Sequence, residues 1–564
     1  MFKPLVACAA FALVSGTVAA KGPVDPAEIL ARNAALNAPL PPEQAAMKSH
    51  VMFLASDELR GREAGSTEFG IAAQYVASQF YQAGLKPMGD QGSYLQAVPL
   101  VSYTPADAGS MAWAPARGAP VQLAPGRDFA AIGDPSKAVT SVSAPVVFVG
   151  FGIVAPQFRR DDYRGVDVRG KIVAYFAGAP ERYPGEERAH FGSPATKLAI
   201  AAAHGAVGAI VLEGGGSGRG SFVGQAASAS RVRVTWGYPD GTGKSPAPGT
   251  PALGLVSSAG AAKLFARSKT AWDKISAQSM NDEAVFKPEQ LPGTLSVTLR
   301  TTNTRVMSAN VVGMLPGSDP ALKDQVVVLS SHLDHIGVGT PDAKGDRVNN
   351  GALDDAVGIA SLIEEARRFQ ASGKPPRRSI LFLAVTAEEK GLIGSDYFAN
   401  NPTVPKANLV ADVNLDMPMI TYRFEDVIAF GADRSTLGPI VHGVARDLGL
   451  AFSPDPMPGE GLFVRSDHYR FVQQGVPSVF LWPGQMGPGK AAVARFMSEH
   501  YHQPSDELVQ DPPIDWEQGV RFVDVNYRIA RAIADGNQRP TWNKGDFFGV
   551  LYHGFGAGQV VTAQ

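Results

Sequence analysis

Five side chains of metal-binding type occur in a fixed order along the second half of the sequence, each just beyond an apolar run that reads as a buried strand. They are His332 in V-V-V-L-S-S-H-L-D, Asp354 in G-A-L-D-D-A, Glu389 in L-F-L-A-V-T-A-E-E, Asp416 in V-N-L-D-M and His502 in H-Y-H-Q-P-S-D. Two imidazoles and three carboxylates, with no sulfur among them, suit a pair of zinc ions. Glu388, beside Glu389, is a spare carboxylate available as a general base. The chemistry this set could do is hydrolysis by a metal-activated water.

Neighbouring residues sharpen that reading. His332 and Asp334 are two apart, so on an extended segment they face the same way, and Asp334 can hold the second ring nitrogen of the imidazole. Asp354-Asp355 stands just before a helical pattern, where carboxylates also serve as caps. Asp354 is well placed to bridge two metals, with Asp355 capping or shaping the turn. Of Glu388 and Glu389 only one can point at a given metal, which leaves the other over the reacting water. His500 competes with His502 for the last ligand place, and Asp506 on a proline-containing turn favours His502 as its orienting partner. His335 and His468 read as residues behind the ligands or facing substrate. His50, His190, His204, His442 and His553 carry no partner pattern. Met417, Phe463 and Trp482 either line an apolar side-chain pocket or belong to the core.

The elements that must position these groups follow a strand–loop–helix rhythm after residue 295. The stretches 326–329 and 380–385 are continuously apolar, as strands covered on both faces are, and 353–369 fits an amphipathic helix between them. Ligands at strand ends agree with the rule that open α/β sheets place their sites beyond the carboxyl edge. The expected fold is therefore α/β, a mostly parallel mixed sheet flanked by helices. Upstream, 43–85 is helical with a break at Leu59-Arg60-Gly61-Arg62, and Ile71, Tyr75, Phe80 and Leu85 are expected on one face. Between 120 and 290 short β-type runs alternate with Gly/Pro/Ser loops, 214–250 reads as loop, and one Ala-rich helix lies near 194–204. The resulting division is a leader over 1–20, an arm and first helices over 21–119, an inserted β-rich block over 120–290, and the metal-bearing domain over 291–564.

The whole chain of 564 residues is long enough for more than one domain, and its formal charge of −2 offers no basic excess for nucleic acid. Lys3, the apolar run 5–18 and the small residues Val18-Ala19-Ala20 read as a secretory signal. Export to the periplasm or medium is the expectation, and no other segment is apolar enough to span a bilayer. Cys8 is the only cysteine, so a processed chain would hold no disulfide. Gly150-Phe151-Gly152 follows a strand, but Pro156 denies the helix a dinucleotide site needs, and Gly243-Lys244-Ser245 runs into Pro246 and Pro248. Neither the serine-hydrolase elbow G-x-S-x-G nor H-E-x-x-H occurs.

At these residues the chain resembles the co-catalytic di-zinc aminopeptidases of the secreted leucyl-aminopeptidase type, whose relatives include glutamate carboxypeptidases and glutaminyl cyclases. The resemblance rests on H-x-D, D-D-A, Glu388 to Ser395 as E-E-x-G-x-x-G-S, N-L-D-M, Ser466-Asp467-His468, the terminal H-x-x-x-D and the upstream Leu59 to Arg62 segment. It implies a zinc-exopeptidase fold with a protease-associated domain as the inserted block. It implies two zinc ions, His332 and Asp416 on one, Glu389 and His502 on the other, and Asp354 between them, with Glu388 as proton shuttle and a cis peptide at Asp354-Asp355. A tyrosine that some relatives carry three residues before S-D-H is Phe463 here, and Tyr501 is the candidate for the vacant oxyanion role. The implied activity is hydrolysis of the N-terminal bond of a peptide with a free amine. Carboxypeptidase or cyclase chemistry on the same metals, and a non-catalytic binding protein that kept the fold, are the alternatives.

Overall fold

A computed structural model describes residues 26–214, 221–281 and 283–558; the leader expected over 1–20, with Cys8, lies outside them. Four parallel strands form the middle of the principal sheet, in the spatial order Ser379–Val385, Val326–His332, Leu409–Asn414 and Ser478–Pro483. Every residue of all four is buried. Their continuous apolar character follows, because helices cover both faces. Val327 and Leu329 pack in one core with Ile380 and Phe382, beneath the helices Pro42–Leu54, Thr67–Gln82, Val357–Ala371 and Trp516–Asp535. Val326, Val328, Leu381 and Leu383 alternate to the opposite core, against Phe398 and Phe471. Antiparallel strands close both sides, with Asp426–Phe430 on Ser478–Pro483 and the end of the long strand Glu289–Leu315 on Ser379–Val385. The α/β mixed sheet flanked by helices is the architecture read from the sequence.

Helix Thr67–Gln82 starts at Ser66, whose hydroxyl accepts from Phe69 N at 3.0 Å. It buries Phe69, Ala72, Ala73, Val76, Ala77 and Phe80, a helical stripe of mostly small residues that lets it lie close on the sheet. Ile71, expected inside, is 48% exposed, because the alanine-rich stripe rather than the bulkier residues sets the helix rotation.

The strand Glu289–Leu315 runs 27 residues and belongs to two sheets. Residues 311–315 pair with Ser379–Val385, 301–311 with Leu95–Pro105, and 289–300 with Val139–Phe148. Around its first half lies a separate core with Met111, Trp113, Phe148, Phe176, Leu295 and Leu299. That core reaches from residue 111 to 299, and the parallel strands Ile172–Phe176, Gly208–Leu212 and Ala252–Val256 cross it. Within 214–250, read as loop, the structure has a helix, Phe222–Ala229, and a strand, Arg233–Trp236. The strand was illegible locally because its partner, Leu100 to Tyr103, lies some 130 residues upstream.

Helix Gly185–Gly192 of this second unit docks on the metal-bearing unit. Gly185 approaches the chain so closely that a Cβ there would stand 1.6 Å from Pro458 O. Arg434, mostly buried, donates to Glu186 at 2.6 Å and Glu187 at 3.1 Å on that helix, and to Asp546 at 3.0 Å. His190 is buried among Phe191, Phe547 and Phe548, with Nδ1 3.1 Å from the Tyr469 hydroxyl. Among the described residues no helix is long and apolar enough to cross a membrane.

Burial holds the His190 pKa down to about 4, against about 6.5 for a free histidine. Below pH 6.5 the unfolded chain therefore binds a proton that the native state refuses, and stability declines as pH falls toward 4. Urea unfolding followed across this window should lose up to about 1.4 kcal/mol per pH unit through this residue. His190→Gln should remove that increment from the slope and leave the slope above pH 7 unchanged.

Candidate metal centre

The carboxyl ends of the parallel strands converge on one point. His332 closes Val326–His332, Asp416 follows Leu409–Asn414, and Glu388 and Glu389 follow Ser379–Val385. Asp354 lies in the irregular turn Ala352–Ala356 that opens helix Val357–Ala371, and its peptide bond to Asp355 is cis, as the resemblance implies. His502 lies in the turn after helix Gly489–Glu499.

Asp354 stands between two groups of side chains. Its Oδ1 is 3.1 Å from His332 Nε2, which is 3.3 Å from Asp416 Oδ1. Its Oδ2 is 3.4 Å from His502 Nε2, which is 3.2 Å from Glu389 Oε2. Ligand-type atoms of His332, Asp354 and Asp416 lie within 4.8 Å of one another, and so do those of His335, Asp354 and Glu389. The donors are imidazole nitrogen and carboxylate oxygen, the set zinc accepts. Glu389 Oε1 is buried with no hydrogen-bond partner. Three clustered carboxylates with an unsatisfied oxygen want a cation.

His500 is excluded as the alternative to His502: its Nδ1 is 3.0 Å from Ser505 O and its Nε2 3.0 Å from Asp511 O, so both nitrogens are spent on main chain. Tyr501 stacks on the His502 ring at 3.9 Å between centroids, which brings it to the edge of the cluster. Burial, reinforced by Asp354, Glu389 and Glu388, raises its hydroxyl pKa.

Three supporting roles differ from the expectation. The ring of His332 is held by the main-chain carbonyl of Asp334, at 3.0 Å from Nδ1, and the Asp334 carboxylate instead accepts from Glu388 N at 3.0 Å. Asp506 does not orient His502; its two oxygens accept from Leu353 N at 2.9 Å and Asp354 N at 3.0 Å, fixing the turn that presents Asp354. Asp355 does more than cap. It accepts from Ser331 Oγ at 2.5 Å, His332 N at 3.3 Å and Met417 N at 2.8 Å, tying together the strand ends that carry His332 and Asp416. Adjacent side chains are close enough in a converging sheet edge that each carboxylate takes the nearest N–H, which the sequence does not specify.

Ser466 accepts from Asn414 Nδ2 at 2.6 Å and donates to Asp416 Oδ2 at 2.5 Å, giving the S-D-H motif a role in aiming Asp416. Trp482 donates from Nε1 to Asp416 O at 2.9 Å and is buried, and Phe463 is buried as well, so neither walls an open pocket. His468 packs against Phe463 and Phe480.

The electrostatics follow from crowding. Burial raises the Glu388 carboxyl well above its ordinary value, with Asp416, Glu389 and Asp467 adding to the effect and His332 opposing it. Burial also lifts Asp334 and Asp506 to about 6. Glu389 goes the other way: burial pulls it up, but His335 and His502 bring it down to about 2. Burial depresses His502, yet Asp354 and Glu389 outweigh it and lift the ring to about 10.

Sequence reading passed over Arg62 as an individual residue. Its side chain is buried, and the guanidinium donates to main-chain carbonyls only: Leu333 O at 2.9 Å, Asn350 O at 2.6 Å, Gly351 O at 3.1 Å, and Leu54 O. Two of those carbonyls sit just before Asp354 and one just after His332. No local pattern marks it: Arg60, two residues earlier and also at positive φ, is exposed. Arg62→Met should strip three loops of their donor and cost about 3 kcal/mol or more in urea unfolding, against a near-neutral change for the exposed Arg60→Met.

Comparison with known proteins gives an independent result. The model of "Peptidase family M28" matches residues 310–529, which contain every residue of the cluster. "Leupeptin-inactivating enzyme 1" of Streptomyces exfoliatus is 29% identical over 235 residues, 39% of this chain and 48% of that protein. A protein named "Probable zinc metalloprotease" from Pyrenophora teres f. teres is 36% identical over 107 residues, 19% of this chain and 22% of that one. The chain thus spans about half or less of the length of these curated relatives. Among solved structures, "Aminopeptidase from Aneurinibacillus sp. strain AM-1" is 20% identical with a TM-score of 0.46, covering 87% of this chain and 93% of that one.

Proposed function

We propose that the protein, whose residues 310–529 match the model of peptidase family M28, is an exported zinc aminopeptidase. The observation that carries the reading is Asp354, whose two carboxylate oxygens face two different histidine–carboxylate pairs. His332, Asp354 and Asp416 would hold one ion, and Asp354, Glu389 and His502 the other. When bound, such a pair supplies Lewis-acid polarisation of a carbonyl and acidifies a water.

The chain's own residues do the rest. Glu388, its main chain anchored by the Asp334 carboxylate, takes the proton of the attacking water and returns it to the leaving amine. Burial raises its pKa and the cations of a loaded site would lower it, which sets the group between base and acid. The Tyr501 hydroxyl, at the rim, is available to donate to the oxyanion as it forms.

The engagement of the cations beside the cluster favours the amino end of a substrate over the carboxyl end. Nearby cations that a carboxypeptidase would use are engaged: Arg62 on four carbonyls, and Lys390 on Glu63 at 2.8 Å. The leader-like segment at residues 3–20 supports export, and the second core supports an inserted protease-associated domain.

A panel of aminoacyl reporter peptides, free and N-acetylated, tests the assignment. Free-amine substrates should be cleaved, blocked ones should not, and chelator should abolish cleavage; cleavage of blocked peptides from the carboxyl end would overturn it. Glu388→Gln should keep its zinc and lose turnover by several orders of magnitude, and retention of near wild-type kcat would remove Glu388 from the role of base.

A further inference from the structure

One histidine beyond the five stands among the metal-binding atoms. The His335 side chain is fully buried, with Nδ1 2.7 Å from Glu389 Oε1 and 3.9 Å from Asp354 Oδ2. Close as they are, neither Nδ1 nor Glu389 Oε1 makes a directed hydrogen bond, and Nε2 has no partner either. Two polar atoms in contact without alignment are what co-ligands show when both aim at a third centre, and leaving them buried and unsatisfied is costly. The ring is pinned in this position. Its main-chain N–H donates to Arg62 O at 3.3 Å, and the residue bridges to Glu63. On the far side lies Gly351, at φ +59°, where a Cβ would stand 2.7 Å from the imidazole Cγ and Cδ2. His335 meets the His502 ring edge-on at 5.8 Å between centroids.

We propose that His335 Nδ1 is a further protein ligand at the second metal position. This rests on the two-metal reading above and deepens it. The second position then has four protein groups, His335, Asp354, Glu389 and His502, whereas the first has three, His332, Asp354 and Asp416. Four protein ligands make the closed set of a structural zinc site, and three leave the open place of a catalytic one. The two positions are therefore unequal: the second retains its ion, and the first carries the exchangeable place.

The test is metal titration of the apo-protein, with Zn2+ against a chromophoric chelator and with Co2+ by visible absorption. The wild-type chain should take up two ions in separate steps. His335→Gln should weaken the tighter step 10-fold or more, leave the weaker step alone, and change the cobalt spectrum of the first ion bound. Zinc should raise the thermal midpoint of this variant less than that of wild type, while the apo-proteins unfold alike. His335→Cys, which supplies a thiolate at the same place, should restore tight binding and add a sulfur-to-cobalt charge-transfer band. It decides the matter even if the glutamine variant folds poorly. Unchanged affinities and spectrum in His335→Gln, or no sulfur band in His335→Cys, would overturn the ligand assignment while two-ion binding stood. A wild-type chain that binds fewer than two ions would instead remove the two-metal reading, and this one with it.

Discussion

The constraint on which the rest depends is the burial of many carboxylates at one sheet edge. Asp334, Asp354, Asp355, Asp416, Asp467 and Asp506 are all buried there, with Glu388 and Glu389 beside them. Taking a charged carboxylate out of water costs several kcal/mol even after relaxation. Each one therefore has to be neutralised, hydrogen-bonded or given a cation. The protein uses all three means. Asp355 and Asp506 are satisfied by main-chain N–H groups, Asp354 and Glu389 face imidazoles, and burial holds Glu388 toward its neutral form.

This has consequences well beyond the centre. The main-chain donors that satisfy Asp355 and Asp506 belong to the segments that carry His332, Asp354 and Met417, so satisfying the acids also sets the ligand positions. Arg62 does the same from the opposite side, offering its whole guanidinium to the carbonyls of those segments. A cation placed on carbonyls rather than on a carboxylate leaves its charge uncancelled, and its field acts on Asp334, Asp506, Asp354 and Asp355 together.

The second unit is tied to this edge by two routes. The strand Glu289–Leu315 is shared by both sheets, so the two cores have one rigid element in common. Helix Gly185–Gly192 rests on the segment around Pro458 to Gly461, and that segment leads into Ser466, which aims Asp416. The second unit therefore bears on how one ligand of the centre is presented, as well as covering a face.

The sequence by itself determined the order of the elements around the centre and the identity of the chemical groups. The apolar runs at 326–329 and 380–385 read as strands buried on both faces, and Asp354, Asp416, His332, Glu389 and His502 follow such segments or their helices. Types and chain positions sufficed for that, because strand ends in a parallel sheet share one edge. Tertiary structure alone decided which N–H each carboxylate receives, that Asp334 offers its carbonyl to His332 and its carboxylate to Glu388, that Ile71 faces out, and that Arg233–Trp236 is a strand. These are contacts between residues far apart in the chain, chosen by which partner is nearest once the backbone has closed, and no local pattern encodes that distance.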